Sequence, residues 1–72
     1  DKVPNHYIKF IRNGIYEFRV NYGNNEFRLL FTYDGDTIVI LFNCFRKKTQ
    51  KTPNSEIEKA LKLKKEYHEQ KE

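Results

Sequence analysis

The fold of this chain is most constrained by three stretches. In two of them apolar and polar residues alternate, and in the third apolar residues run together. In residues 15–22 polar positions alternate with aromatic or aliphatic ones, namely Tyr16, Phe18, Val20 and Tyr22. Residues 27–33 repeat the pattern, and residues 37–45 form a longer apolar run. A period of two is typical of a strand with one buried face, and an apolar run is typical of a central strand. Three consecutive β-strands are therefore predicted.

Turn residues predict that these strands form an antiparallel meander. Two-residue loops are expected at Asn24-Asn25 and Asp34-Gly35, because such residues tolerate the positive φ of tight hairpins. In this register Arg28 of the middle strand lies opposite Asn21 and Leu41.

The same register divides the predicted sheet into two faces, because side chains alternate in direction along a strand. One face gathers the cations and carries Arg19, Arg28, Asn43, Phe45 and Lys47. The other is expected to be the core side and carries Phe18, Val20, Phe27, Leu29, Phe31, Ile38, Ile40, Phe42 and Cys44.

The segments that flank the strands complete the predicted fold. Pro4 disfavours a helix near the start, and the domain edge is expected to hold Tyr7, Ile8, Phe10 and Ile11. Thr52 and Pro53 fit the N-cap and first position of a helix, with an apolar stripe of Ile57, Ala60, Leu61 and Tyr67. Its last turns are expected to fray from His68. The predicted class is α+β: a three-stranded antiparallel meander, then a C-terminal helix packed on one face.

Length and composition limit the chain to one domain spanning residues 1–72. The chain begins at Asp1 and has no methionine, so a fragment or processed chain is expected. It contains no apolar run of the ~20 residues that a membrane helix needs. Its single cysteine, Cys44, is expected to be a reduced, buried thiol, which fits a cytoplasmic protein. One cysteine and two histidines, His6 and His68, make no zinc motif, and neither a metal nor another cofactor is expected.

A cationic loop follows the third strand and leads into the helix. Between residues 46 and 51 it carries four cations and no acid, namely Arg46, Lys47, Lys48 and Lys51. Cations at a helix N-terminus oppose the helix dipole unless an anion binds there, so an anion site is predicted. The alternatives are a solvated loop and, for Arg19, a surface pair with Glu17 or Glu26.

Three motifs in this order resemble those of RelE/ParE-type toxins, in their phage-derived HigB-like branch. Residues 14–20, G-I-Y-E-F-R-V, are similar to a "G-L-W/Y-E-L-R" strand, and residues 27–31, F-R-L-L-F, to the strand that follows it. Residues 45–53, F-R-K-K-T-Q-K-T-P, resemble the closing signature "F-x-K-K-T-x-K-T-P". The resemblance covers roughly residues 4–67. It implies two further N-terminal helices and an initial strand in longer relatives.

The resemblance implies the toxin of a type II toxin-antitoxin system, a bacterial endoribonuclease that cuts mRNA on the ribosome and is neutralised by an antitoxin protein. Cleavage would need no metal, since the ribose 2′-OH attacks the adjacent phosphate. The catalytic residues implied are Arg19, Arg28, Lys47 and Lys48, the arginines as phosphate clamps. The RNA-binding residues implied are Phe45, Arg46, Thr49 and Lys51, with Phe45 stacking on a base.

Two other functions remain open at this point. One is a ParE-like inhibitor of DNA gyrase, and the other is an RNA-binding module without cleavage. The general acid and base also stay unassigned, with Tyr67 as the one candidate late in the chain.

Overall fold

The computed structural model describes residues 6–47 and 49–71, which form one antiparallel sheet and one helix. The elements in chain order are β1 (His6–Arg12), β2 (Ile15–Tyr22), β3 (Asn25–Asp34), β4 (Thr37–Lys47) and α1 (Asn54–Gln70). The strand order β1-β2-β3-β4 follows the chain, and each pair is antiparallel. The predicted fold class, an α+β antiparallel meander followed by a C-terminal helix, is confirmed.

The sheet has four strands rather than the three predicted, because the edge strand β1 was not predicted. This strand pairs with β2 and turns into it through Asn13-Gly14. Both loop residues have positive φ, 52° and 80°, as in the I′ hairpins that Asn-Gly favours. This dipeptide is therefore the sequence signal for the fourth strand.

Both predicted hairpin loops are displaced by one residue, because glycine takes the first loop position. The loops are Gly23-Asn24 and Gly35-Asp36, closed by the pairs that flank them. Each glycine has a φ near +60° (58° and 62°), which suits the first position of a II′ turn and which other residues rarely adopt. Arg28 consequently lies opposite Arg19, and the predicted partner Asn21 was wrong.

A bulge in β4 changes which residues share a face. Leu30 pairs with Phe42, but the next residue, Phe31, pairs with Ile40, so Leu41 is the extra residue. One inserted residue reverses the alternation beyond it. Asn43, Phe45 and Lys47 therefore lie on the face opposite Arg19, although they were predicted to share its face. Phe42 and Cys44 lie on the face of Arg19, although they were predicted on the other. Arg46, for which no face was predicted, also lies on the face of Arg19.

Helix α1 packs on the face of the sheet that carries Arg19 and Arg28. The buried core there consists of Ile15, Leu30 and Ala60, with Ile11, Leu41, Phe42 and Leu61 packed against it. Ile57 is also buried, which confirms the predicted apolar stripe of the helix at Ile57, Ala60 and Leu61.

The face predicted as the core side is not covered by any described element, and we call it the open face. Its exposed large side chains are Ile8, Phe10, Tyr22, Tyr33, Ile38, Ile40 and Phe45. Rings pack against one another within this layer, for example Tyr16 against Phe31 with 5.6 Å between centroids.

Both ends of α1 differ from the prediction. Pro53, not Thr52, is the N-cap, and no side chain caps the helix start. The helix continues to Gln70 without fraying at His68, because Tyr67 and Lys71 both bond to Asp34 in the β3–β4 hairpin. Cys44 is a free thiol but only half-buried. Within residues 6–47 and 49–71, no helix has the length and apolar character that a membrane crossing requires.

Candidate functional site

Two glutamates and two arginines form a buried charged cluster between the sheet and α1. They come from one tripeptide, Glu-Phe-Arg, that occurs at residues 17–19 on β2 and again at residues 26–28 on β3. Each arginine bonds to the glutamate two residues before it, Arg19 Nε to Glu17 at 2.7 Å and Arg28 Nε to Glu26 at 3.1 Å. The arginines face each other in register, and Glu26 contacts both of them. Negative and positive charges therefore alternate in the order Glu17, Arg19, Glu26 and Arg28.

Arg28 is the more enclosed of the two arginines of this charged cluster, with a relative exposure of 2%. Its guanidinium contacts the Glu26 carboxylate at 3.0 Å and donates to Thr52 Oγ1 and to the Lys47 carbonyl, both at 3.3 Å. A charge taken out of water must be paired and hydrogen-bonded. Arg28 therefore holds the loop after β4 against β3.

Thr52 connects the cluster to the start of the helix. Its hydroxyl donates a hydrogen bond to Glu17 Oε2 and accepts one from Arg28 Nη1. Glu17 is fully buried, and its other oxygen accepts from Arg19. Both oxygens of this carboxylate are thus occupied, which suits a residue that orients its neighbours.

Arg19 is the member of the pair that reaches solvent, with 15% of its side chain accessible. Its Nη1 donates to the hydroxyl of Tyr7 at 2.7 Å, and its guanidinium lies 5.5 Å from the centre of that ring. Burial by itself lowers the pKa of Arg19. The hydrogen bond to Glu17 and the charges of Glu17, Tyr7 and Glu26 outweigh burial, and the pKa is raised. Arg19 is therefore held as a fixed cation.

A cleft of about 350 Å³ opens beside Arg19, between β1, β2 and the start of α1. Lys9, Arg19 and Lys51 line it with positive charge, and Thr52 adds a hydroxyl. The carboxylate of Glu17, which pairs with Arg19, also lies in its wall. Lys9 and Lys51 are exposed, and neither takes part in the buried cluster. Three cations from three chain segments around one opening suit a phosphate group.

Arg46 ties α1 to the same face of the sheet. It lies opposite Glu26 in register and forms an ion pair with Glu56 in the first turn of the helix. A carboxylate in that turn also offsets the positive end of the helix dipole. Arg46 thus has a partner within the fold.

Three further predicted site residues that the structure describes, Phe45, Lys47 and Thr49, do not line the cleft. Phe45 lies on the open face, 68% exposed, where its ring contacts Phe27 and Tyr22; its predicted place beside the arginines was wrong. Lys47 also points to the open face and reaches the cluster only through its carbonyl. Thr49 is exposed in the turn that follows. Lys48 and the side chain of His6 lie outside the described residues.

Sequence reasoning placed Arg19 and Arg28 correctly on one face of the sheet but missed four participants. Glu17 and Glu26 were considered only as surface partners of Arg19, although each precedes an arginine by one full strand period. Tyr7 and Lys9 were missed because β1 was not predicted. Alternation along β1 would have placed both on the face of Arg19.

Tyr67, the late candidate for proton transfer, is engaged at the other end of the helix. Its hydroxyl donates to Asp34 at 2.8 Å, and that bond raises the pKa of Tyr67. A second cleft of about 470 Å³ lies near this end, lined in part by Asn13, Lys64 and His68. It contains none of the residues of the charged cluster.

Comparison with known protein families assigns the chain. The family described as "Phage derived protein Gp49-like (DUF891)" matches residues 1–65. The chain belongs to the phage-derived Gp49-like family. The resemblance of the strand and loop motifs to HigB-like toxins is thereby confirmed.

Two curated relatives of this Gp49-like chain, each called "Probable endoribonuclease HigB1", come from two strains of Mycobacterium tuberculosis. Each is 48% identical over 54 residues, which is 75% of this chain and 42% of the relative. The chain thus spans less than half the length of these relatives. No solved structure matches the chain significantly.

Proposed function

We propose that this chain carries the RNA-cleaving centre of a toxin from a type II toxin-antitoxin system, and that the centre is the cleft beside Arg19. The observation that carries the proposal is the group of three cations, Lys9, Arg19 and Lys51, around one opening. The relatives named as endoribonucleases support the same reaction. The substrate is mRNA engaged by the ribosome, and the antitoxin is a second protein that blocks the toxin.

The proposed reaction breaks one bond of the RNA backbone by internal attack. The ribose 2′-OH gives its proton to water and attacks the neighbouring phosphorus, and the bond to the 5′-oxygen breaks as that oxygen takes up a proton. The products are a 2′,3′-cyclic phosphate and a 5′-hydroxyl. Negative charge builds up on the phosphate oxygens in the transition state, so cations that are already fixed in position beside them stabilise that state.

Arg19 is the residue proposed to stabilise that charge. Its guanidinium is held by Glu17 and Tyr7 and has one edge at the cleft, so it is already oriented when the substrate arrives. Lys9 and Lys51 are exposed and supply additional positive charge that draws the phosphate in. Arg28, which is enclosed by its partners, is proposed to position the loop that carries Lys51 and Thr52.

Tyr7 is proposed as the general acid. It accepts a hydrogen bond from Arg19, which leaves its own O–H available to donate to a substrate atom bound beside that guanidinium. Proton transfer from a positioned side chain contributes about 10²–10⁴-fold to rate. Phe45, on the opposite face, is not included in the proposed centre.

The test is cleavage of a defined mRNA by the purified chain, with and without ribosomes, in buffer containing a chelator. We expect fragments ending in cyclic phosphate, and loss of cleavage in Arg19→Ala. Arg12→Ala is the matched control, because Arg12 also pairs with a glutamate, at 4.0 Å, but lies outside the cleft. Intact mRNA throughout would overturn the proposal, and DNA breakage in its place would favour a gyrase inhibitor.

A further inference from the structure

A second group of basic residues lies outside the proposed centre, at the cleft of about 470 Å³ beside the later turns of α1. Lys64, Lys65 and His68 line this cleft, together with Asn13 of the β1–β2 turn and one acidic residue, Glu69. Charged side chains are stable in contact with water. Unlike the open face, this cleft therefore needs no further segment to cover it.

The two clefts lie one after the other along the same side of α1. Ile57 lines the cleft at Arg19, and Lys65 lines the second cleft. The chain from β1 into its turn passes the two clefts in the same order, and the Arg12–Glu58 pair lies between them. Ile57 and Lys65 are about 12 Å apart along the helix axis, at about 1.5 Å per residue.

We propose that the second cleft binds a further phosphate of the RNA strand, so that the strand follows α1 from Arg19 to Lys64 and Lys65. The inference rests on the proposed function, because the Arg19 cleft fixes the position of the cleaved bond. Lys64 and Lys65 are the residues assigned to this phosphate. The Arg12–Glu58 pair, whose charges neutralise each other, is not included.

The Lys64 side chain is held across the β1–β2 turn. Its Cε lies 3.1 Å and its Nζ 3.5 Å from the position that a Cβ would take at Gly14, so the glycine leaves room for the lysine stem. Within residues 6–47 and 49–71, neither Lys64 nor Lys65 is among the cations of the ion pairs. Those cations are Arg12, Arg19, Arg28, Arg46 and Lys71. The charges of the two lysines can therefore attract an anion.

The test is the binding of RNA oligonucleotides with 2′-deoxyribose at the cleavage position, measured by fluorescence anisotropy over a range of salt concentration. One oligonucleotide has two nucleotides, which reach only the Arg19 cleft, and the other has about eight, within the usual range for a single-strand site. The double variant Lys64→Gln, Lys65→Gln should bind the longer RNA about tenfold more weakly. Its affinity for the shorter RNA should stay within about twofold of the wild type.

The salt dependence gives a readout that a purely structural role of the lysines would not change. One phosphate contact of a single strand contributes about 0.7 to the slope of log affinity against log salt. The slope for the longer RNA should therefore be flatter by about 0.7 in the double variant.

Lysines late in a helix also offset the negative end of its dipole, so the control must remove the same charge from the same helix. The double variant Lys59→Gln, Lys62→Gln does so at two exposed positions that line neither cleft. It should bind both oligonucleotides within about twofold of the wild type.

The inference is overturned if the two double variants bind the longer RNA equally well. The proposed function would then still stand, provided that Arg19→Ala weakens binding of both oligonucleotides. If the wild-type chain binds neither oligonucleotide, the proposed function and this inference are both overturned.

Discussion

Arg19 on β2 lies directly opposite Arg28 on β3. The two guanidinium groups stay together because each pairs with the glutamate two residues before it. Glu26 bridges them, at 3.0 Å from Arg28 and 3.7 Å from Arg19. The pair is nevertheless unequal, since Arg28 is enclosed and Arg19 borders the cleft. This difference separates a residue that holds the fold from one that can meet a substrate.

Removing Glu26 is expected to destabilise the protein severely. Glu26→Ala removes the carboxylate that contacts the buried Arg28 charge, which costs about 3–5 kcal/mol in free energy of unfolding. Small domains have about that much in total, so the variant should be largely unfolded in urea titrations followed by circular dichroism. Glu58→Ala is the control, because its side chain is 70% exposed and such pairs contribute ~0–1 kcal/mol. Equal losses in both variants would contradict a structural role for the cluster.

Thr52→Val is expected to lower the free energy of unfolding by about 1–3 kcal/mol, since the valine leaves Glu17 and Arg28 each short of one hydrogen-bond partner. Thr52→Ser keeps the hydroxyl and should retain most of the stability. If Thr52 instead acted as a helix cap, asparagine at this position would serve as well as serine. Thermal unfolding of the three variants distinguishes these roles.

The contact between the helix end and the β3–β4 hairpin should depend on pH. Hydrogen bonds from Lys71 and Tyr67 hold the pKa of Asp34 below its usual 3.8. The stabilisation is therefore present above pH 3.8 and is lost as pH falls through the folded-state pKa. The same contact raises the pKa of Tyr67 above 10.0 and that of Lys71 above 10.5. The stabilisation from these two groups is therefore present below those values and is lost as pH rises through their folded-state pKa values.

Carboxyl-carbon NMR of Asp34 tests this contact directly. Its pKa should lie below 3.8 in the wild type and rise towards that value in Tyr67→Phe. Tyr33→Phe is a suitable control, because Tyr33 neighbours Asp34 in sequence but belongs to the open face. An Asp34 that titrates at its usual pKa in the wild type would show that the helix end is not anchored there.

Tyr7→Phe is expected to slow RNA cleavage by about 10²-fold or more while RNA affinity stays within about twofold, because it removes only the hydroxyl proposed as general acid. Single-turnover cleavage and filter binding measure the two quantities. Tyr22→Phe, a change to an exposed tyrosine of the open face, should alter neither. Full activity in Tyr7→Phe would show that Tyr7 is not the general acid, without bearing on the role proposed for Arg19, Lys9 and Lys51.

The strands and the apolar stripe of the helix follow from sequence periodicity, and the pairing of Arg19 with Glu17 follows from alternation. The faces of β4 do not, because residues 38–42 are all apolar and give no sign of which of them is the extra residue at the bulge. That one residue decides whether Phe45 or Arg46 joins the arginines. The location of the site residues was therefore less predictable than the elements that carry them.

The side covered by α1 was equally hard to predict. The more apolar face of the sheet was expected to be the core, yet the helix packs over the face with the buried charges. Ile15 and Leu30 provide the apolar contacts there, while the glutamates neutralise the arginines. A count of apolar residues on each face misses this neutralisation, because it depends on ion pairs within β2 and within β3 and on the contact of Glu26 with Arg19 between them.

The central claim is that RNA meets this protein at the Arg19 cleft, and NMR mapping tests it most directly. An RNA oligonucleotide with 2′-deoxyribose at the scissile position cannot be cut and is titrated into labelled protein. The account predicts that signals of Tyr7, Lys9, Arg19 and Lys51 shift and that Arg19→Ala weakens binding, while Phe45 and Tyr22 stay unchanged. Shifts centred on Phe45 and Tyr22, with binding unaffected by Arg19→Ala, would contradict it.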